Sequence, residues 1–280
     1  MGKLFEERMR QTIDEIGFAY FTYDESEFWM YEKIYKAIEK YANDHEYFNT
    51  ALSLKAVRGL YNGTYSSEVV KKDGKSYQMP YIQHCLSVCK ILIDIRLPLS
   101  DDERDIVLAS ALCHGLIANI FFTERGKEMV DIYHLDPRVY EVMQLVTRKK
   151  YLSEGAREKF FEDLQKNKLA LLVRMADRSN YVEQLYNIPI WRAREYIHET
   201  RTYYFPMCFY AKEYYPELIA AFSIFLEKMR NLLEVTEIMV GRFENREIEL
   251  SKEILALKEE NARIRGIIKR KKAQASIGNS

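Results

Sequence analysis

Apolar residues recur three and four positions apart along almost the whole chain, which is the period of a helix packed on one face. Only 6 Pro and 11 Gly interrupt the 280 residues, and 48% of the residues are hydrophobic, so the chain can bury a large core. We therefore predict an all-α helical bundle with almost no strand. Helices are expected over about residues 4–17, 26–42, 48–61, 82–95, 102–118, 137–147, 154–165, 168–185 and 190–214, and from about 217 onward.

Residues 62–80 depart from the helical pattern. They contain the pairs Asn62-Gly63 and Asp73-Gly74 together with clustered Ser, Lys and Tyr, all of which interrupt a helix. The segment is predicted to be a loop of about 19 residues, which is long enough for a functional loop.

The C-terminal part of the chain has no proline from residue 217 to about residue 272, a stretch much longer than a typical globular helix. In its second half, two sets of residues occupy the alternating core positions of a heptad repeat. These sets are Phe243, Leu250, Leu257 and Ile264, interleaved with Glu247, Ile254, Asn261 and Ile268. The pattern predicts a coiled coil.

A core asparagine and the charges beside this repeat favour a parallel homodimer through residues 243–268. Asn261 at a core position hydrogen-bonds to its own copy only when two chains run parallel and in register. In that arrangement Glu253 faces Lys258 of the other chain, and Glu260 faces Arg265, so both pairs are opposite in sign. The alternative is that the helix packs antiparallel on its own domain.

Charge and cysteine content limit the function classes. The 42 basic and 42 acidic residues balance, so no overall field attracts a nucleic acid, and none is expected as a partner. Residues 1–10 lack the apolar region of a secretory signal, and no stretch reaches the roughly 18 apolar residues of a membrane span. We expect a cytoplasmic protein whose cysteines, Cys85, Cys89, Cys113 and Cys208, are buried thiols.

Three segments that are far apart in sequence contain residues able to bind a metal. His84 opens one predicted helix in Pro-Tyr-Ile-Gln-His, His114 follows Ala-Leu-Cys, and Asp177 lies within Arg-Met-Ala-Asp-Arg. A single histidine on an apolar helix is more often a hydrogen-bonded core residue. A carboxylate beside the apolar run 169–173 is harder to explain in that way, because a buried charge needs a cation or a metal as partner.

The order and spacing of these segments resemble the (p)ppGpp hydrolase domain of RelA/SpoT homologues, within the HD metal-phosphohydrolase superfamily. That family has a basic Arg-Lys-x-Gly loop, Pro-Tyr-Ile-x-His, Ala-x-Leu-x-His-Asp-x-x-Glu-Asp and Ala-Asp-Arg. The matching segments here are Lys71–Gly74, Pro80–His84, Ala111–Asn119 and Ala176–Arg178. The resemblance covers about residues 62–239 and implies an HD-domain helical bundle.

The resemblance implies a metal site with one position changed. In such domains two His and two Asp hold one divalent cation, usually manganese. Carried over to this chain, His84, His114 and Asp177 are three of the four ligands. Gly115 stands at the position of the fourth, so metal binding is expected to be weak or absent.

The family's catalytic pair is also missing. A Glu-Asp pair drives the attack of water on the 3′-diphosphate in the family, and Ala118 and Asn119 occupy those positions here. Neither side chain exchanges a proton near neutral pH, so the family mechanism is expected to be impaired. Three carboxylates follow the altered motif and are alternatives for rescuing it: Glu124, Asp131 and Asp136.

The resemblance further implies residues that contact the nucleotide. Candidates for binding guanosine polyphosphate are Lys71, Lys72, Thr147, Lys149, Arg178 and Asn180. For the lysines, a solvated loop charge is the alternative interpretation.

Three functions remain open at this stage. The chain is a catalytically impaired (p)ppGpp-hydrolase-like domain that acts by binding a nucleotide or a partner, an active manganese-dependent phosphohydrolase, or a structural protein that acts through its coiled coil. The predicted organisation is N-terminal helices packing on the HD core over 1–61, an HD domain over 62–240, a coiled coil over 241–272 and a disordered tail over 273–280.

The coiled-coil prediction is testable by sedimentation equilibrium. The full chain is expected to be a dimer at micromolar concentration, because a single helix leaves the apolar heptad positions in water. A chain that ends at Met239 is expected to be a monomer. Two monomeric species would contradict the prediction.

Overall fold

The computed structural model describes residues 2–17, 25–61, 64–72, 75–116, 131–147, 153–185 and 188–277, and it confirms the all-α prediction. The helices, numbered in chain order, are α1 Gly2–Ile16, α2 Glu32–Asp44, α3 Phe48–Leu60, α4 Ile82–Asp94, α5 Asp101–Cys113, α6 Pro137–Val146, α7 Glu154–Gln165, α8 Lys168–Glu183, α9 Ile190–Glu199, α10 Phe205–Tyr214 and α11 Ile219–Ile277. Short 3₁₀ turns occupy Glu25–Met30 and Pro216–Leu218.

The predicted loop over 62–80 is wrong for most of its length, because the segment contains a β-hairpin. Strand β1 spans Tyr65–Lys72, strand β2 spans Lys75–Pro80, and the two pair antiparallel with Lys72 opposite Lys75. Val69 and Val70 favour a strand, and Asp-Gly is a residue pair that two-residue hairpin connections prefer. The sequence analysis treated this pair only as a helix breaker.

The single helix predicted over 190–214 is divided into α9 and α10 by a π-helical turn at Thr200–Tyr204. Pro206 lies at the start of α10 and has no backbone N–H to donate to the preceding turn. The wider π-helical turn accommodates this missing hydrogen bond. The spacing of apolar residues does not reveal such a turn.

Helix α5 lies at the centre of the first compact unit, which spans Met1–Arg230. It packs against α3, α4, α6 and α8, and every residue from Asp105 to Cys113 is buried. Helices α4 and α8 also pack against each other, so α4, α5 and α8 are mutual neighbours. These are the helices in which the sequence places the three candidate metal ligands.

Asp105 connects α5 to the start of α3. The residue before α3, Tyr47, provides no side-chain cap. Instead, the Asp105 carboxylate accepts hydrogen bonds from the backbone N–H groups of Asn49 and Thr50 at 2.9 and 2.7 Å, and from their side chains at 2.8 and 2.7 Å. A buried carboxylate from another helix therefore caps α3, which fixes the relative position of the two helices.

The second compact unit spans Asn231–Ser280 and contains the predicted coiled-coil segment. This segment is helical, and α11 continues to Ile277, beyond the predicted end at 272. Of the heptad core residues, Leu250, Ile254 and Leu257 are exposed, with 62% exposure at Leu257. The pairing of two copies stays a prediction. Within the described part of the chain, no helix has both the length and the apolar character needed to cross a bilayer.

We predict that Asp105→Asn lowers the free energy of unfolding by about 2–4 kcal/mol, because the NH2 group of the new amide cannot accept and leaves one of the two backbone N–H donors without an acceptor. Urea denaturation followed by circular dichroism measures the change. Asp94→Asn is the matched control, since Asp94 forms only an exposed ion pair with Lys90 and is expected to change stability by less than about 1 kcal/mol. Equal effects of the two substitutions would contradict the capping role of Asp105.

Candidate metal centre

The three candidate ligands lie on three neighbouring helices. His84 is in the first turn of α4, His114 follows directly after α5, and Asp177 is in the middle of α8. Their exposed fractions are 7%, 8% and 2%. The packing of α4, α5 and α8 thus brings together residues that are widely separated in the sequence.

The three side chains converge as the sequence analysis expected. His84 Nε2 lies 3.2 Å from His114 Nε2 and 3.1 Å from Asp177 Oδ1, and His114 Nε2 lies 3.7 Å from the same oxygen. In such a triangle, a central point is about 2 Å from each ligand atom, the distance of zinc-nitrogen and zinc-oxygen bonds. The site therefore has room for a divalent cation held by two imidazoles and one carboxylate.

The second nitrogen of each histidine is engaged by an oxygen. His114 Nδ1 lies 2.6 Å from the carbonyl oxygen of Ala111, which can only accept, so Nδ1 carries the proton. His84 Nδ1 donates in the same way to Asn180 Oδ1 at 2.7 Å. In the neutral imidazoles both Nε2 atoms therefore present lone pairs to the centre of the site, which is the arrangement seen in metal-binding histidines.

Asp177 contributes an oxygen that has no hydrogen-bond partner among the described residues. Its Oδ1 is buried and faces the two imidazoles, while Oδ2 accepts a hydrogen bond from Arg174. Burial opposes ionisation of this carboxyl, but the positive charge of Arg174 favours it, and the pKa is held well below its usual range. The residues fit a cation, because a buried anionic oxygen without a partner is costly unless a positive charge compensates it.

Gly115, to which the resemblance assigns the position of the fourth ligand, faces two tyrosines. A Cβ atom there would lie 2.6 Å from Cε1 and 2.8 Å from Oη of Tyr81, and 3.0 Å from Oη of Tyr61. Burial raises the pKa of both phenols well above the usual value, so neither carries the negative charge of the missing carboxylate. The space beside Gly115, where a carboxylate side chain would lie, thus contains aromatic rings.

Among the described residues, the cluster able to share a metal includes no cysteine. All four cysteines are buried and free, as predicted. Burial raises the pKa of Cys85 and of Cys89, and it raises that of Cys113 to about 12. A metal would need the thiolate form, which these surroundings disfavour.

Two of the predicted nucleotide contacts have other partners. Arg178 is 2% exposed, pairs with Glu199 and lies with its guanidinium carbon 4.1 Å from the ring centre of Tyr204. Asn180 orients His84. Contact of either residue with a nucleotide stays a prediction, and the observed contacts support structural and orienting roles instead.

The remaining sequence candidates are placed only in part. Thr147 donates its hydroxyl to the carbonyl oxygen of Met143 at 2.7 Å. The backbones of Lys71 and Lys72 lie in β1, but their side chains are outside the description, as are the whole residues Ala118, Asn119, Glu124 and Lys149.

Two of the carboxylates considered for rescue are described, and neither joins the three ligands. Asp131 is exposed, whereas Asp136 caps α6 and pairs with Arg138. Among the described residues, the cluster close enough to share a metal contains His84, His114 and Asp177 and neither of these carboxylates.

The sequence analysis missed Arg174, Tyr81 and Tyr61 as parts of the site. Arg174 precedes Asp177 by three positions on a helix, a spacing that places two side chains on the same face and was available as a signal. No local pattern indicates that Tyr81 and Tyr61 contact Gly115, because they belong to other elements.

Comparison of the sequence with protein-family models and with curated proteins finds no match. The resemblance to HD phosphohydrolases therefore rests only on short sequence motifs, among them those around His84, His114 and Asp177.

We predict that Asp177→Asn or His114→Ala weakens the binding of Zn²⁺ or Mn²⁺ at least a hundredfold, since loss of outer-shell partners alone typically weakens binding by about 10–100-fold. Isothermal titration calorimetry on protein stripped with a chelator measures the effect. His198→Ala is the matched control, because His198 is exposed in α9. Unchanged binding in the two site variants would exclude this centre.

Proposed function

We propose that this chain is an HD-type domain, similar to (p)ppGpp hydrolases, that has lost efficient hydrolysis and acts by binding a metal-associated nucleotide. The observation that carries the proposal is the convergence of His84 Nε2, His114 Nε2 and Asp177 Oδ1. Each of these residues comes from a segment that matches a different family motif, in the family's order.

The residues of this chain prepare the centre without a fourth carboxylate. Arg174 keeps Asp177 ionised, while Asn180 and the carbonyl of Ala111 orient the two imidazoles. A divalent cation, when bound, would polarise a water or phosphate oxygen at an open position. Ala118 and Asn119 at the family's Glu-Asp positions offer no group to accept or donate the proton that hydrolysis requires.

Guanosine polyphosphate is the ligand class that we propose for this centre. The hairpin containing Lys71 and Lys72 ends at Pro80, so it continues directly into the helix that carries His84. Lys71 and Lys72 lie at the turn end of the hairpin, opposite Ser76 and Lys75, whereas Pro80 lies at its other end. A lysine charge and a divalent cation both suit a diphosphate group.

We further propose that the C-terminal half of α11 pairs with a second copy in parallel. Leu250, Ile254 and Leu257 are exposed at heptad core positions, and burying them in a coiled coil removes that apolar surface from water. This pairing is independent of the metal centre, since it depends on the heptad residues alone. If the centre binds nothing, the coiled coil becomes the main candidate for the function.

We predict that ppGpp raises the melting temperature of the protein in the presence of Mn²⁺, while release of pyrophosphate is at least about a thousandfold slower than in an intact family member. Thermal melts and a pyrophosphate assay on the same samples test both parts. Asp177→Asn is expected to abolish the stabilisation by ppGpp, and His198→Ala is expected to retain it.

The possible results separate the three functions. Rapid manganese-dependent turnover by the unmodified chain would refute the proposal and identify an active phosphohydrolase. No stabilisation and no turnover would leave the scaffold function, in which the coiled coil acts alone. Stabilisation without turnover supports the binding function.

A further inference from the structure

Gly115 has no conformational reason to be a glycine. Its backbone is outside the positive-φ region in which glycine is favoured, and among the described glycines only Gly17 is in that region. A side chain there would instead require the ring of Tyr81 to shift, since a Cβ atom would lie 2.6 Å from its Cε1 atom. A glycine at position 115 therefore leaves room for the ring of Tyr81, which belongs to another part of the chain.

The ring of Tyr81 is held from two sides. Its centre lies 5.3 Å from that of Tyr61 and 5.4 Å from that of His84. The hydroxyl of Tyr61 is in turn 3.5 Å from the carbonyl oxygen of Leu112. Moving Tyr81 aside to admit a carboxylate at Gly115 would disturb the contact with the ligand His84, so the ring restricts the site to three protein ligands.

The spacing of the three candidate ligand atoms can be compared with two coordination geometries. Tetrahedral zinc with bonds of about 2.0–2.1 Å has ligand atoms about 3.3–3.4 Å apart, whereas adjacent ligands of an octahedral ion are about 2.9–3.1 Å apart. The separations here are 3.1, 3.2 and 3.7 Å. The two shorter ones lie near the octahedral range and the longest exceeds both ranges, so the preference for a geometry depends on the number and type of ligands.

The donor set favours zinc over manganese. Imidazole nitrogen suits zinc, while manganese favours carboxylate and water oxygens, so a site with two imidazoles and a single carboxylate shifts preference toward zinc. Three protein ligands and one open position form the arrangement of zinc sites that bind an exogenous oxygen.

We propose that Tyr81, packed over Gly115, makes this a three-ligand, four-coordinate site that selects Zn²⁺ over Mn²⁺ and leaves one position for a solvent or anionic oxygen. The inference rests on the metal centre proposed above. It assigns to Tyr81 the role of a specificity-determining residue that acts by occupying space.

Cobalt substitution tests the geometry in the full-length protein. Co²⁺ added to the metal-free chain is expected to show the intense visible absorption of four-coordinate cobalt, and Zn²⁺ is expected to displace it at least a hundredfold more effectively than Mn²⁺. Binding with the weak absorption of six-coordinate cobalt would overturn this inference but leave the metal centre intact. No binding of cobalt, zinc or manganese would overturn both.

Substitutions at Gly115 test the role of Tyr81. Gly115→Asp alone is expected to lower the melting temperature without raising Mn²⁺ affinity, whereas Gly115→Asp combined with Tyr81→Ala is expected to shift cobalt to six-coordinate absorption and raise Mn²⁺ affinity about tenfold. Gly155→Asp in α7 is the matched control, since a side chain there meets nothing within 4 Å. If Gly115→Asp alone produces the full gain in Mn²⁺ affinity, Tyr81 does not restrict the site. The cobalt spectrum of the unmodified chain decides the geometry even if a variant fails to fold.

Discussion

The negative charge of Asp177, buried in the middle of α8, is the constraint on which the rest of the site depends. A carboxylate removed from water costs several kcal/mol unless positive charge compensates it. Arg174 occupies one oxygen, and the other faces His84 and His114 without a hydrogen-bond partner. A cation held between this oxygen and the two imidazoles would compensate the remaining charge.

Helix α8 carries a second buried charge one residue further along. The guanidinium of Arg178 contacts the rings of Tyr196 and Tyr204 and pairs with Glu199. Tyr196 and Glu199 belong to α9, and Tyr204 belongs to the π-helical turn. Its charge is therefore compensated by the protein, in contrast to the open oxygen of Asp177. The two adjacent charged residues thus differ: Arg178 joins helices, whereas Asp177 faces the two imidazoles of the candidate metal site.

The scaffold around the centre depends on polar contacts between elements that are distant in sequence. Asp105 on α5 caps α3, and α5 ends directly before His114. Asn180 on α8 orients His84 on α4. The ligand geometry is thus set by the relative placement of α3, α4, α5 and α8, and the tyrosines that cover Gly115 form part of the same packing.

Local periodicity was enough to predict the helices, since each turn depends on residues three and four positions apart, and motif order was enough to select His84, His114 and Asp177. The strands at 65–72 and 75–80 and the interruption before Pro206 were missed because apolar spacing alone detects neither strand pairing nor the missing N–H of a proline. The sequence by itself determined the helical class, the choice of His84, His114 and Asp177 as candidate ligands, and the lack of a side chain at Gly115. Only the tertiary structure decided that Tyr81 fills the vacant space and that Arg174 holds Asp177 ionised, because those contacts require side chains to meet across packed helices.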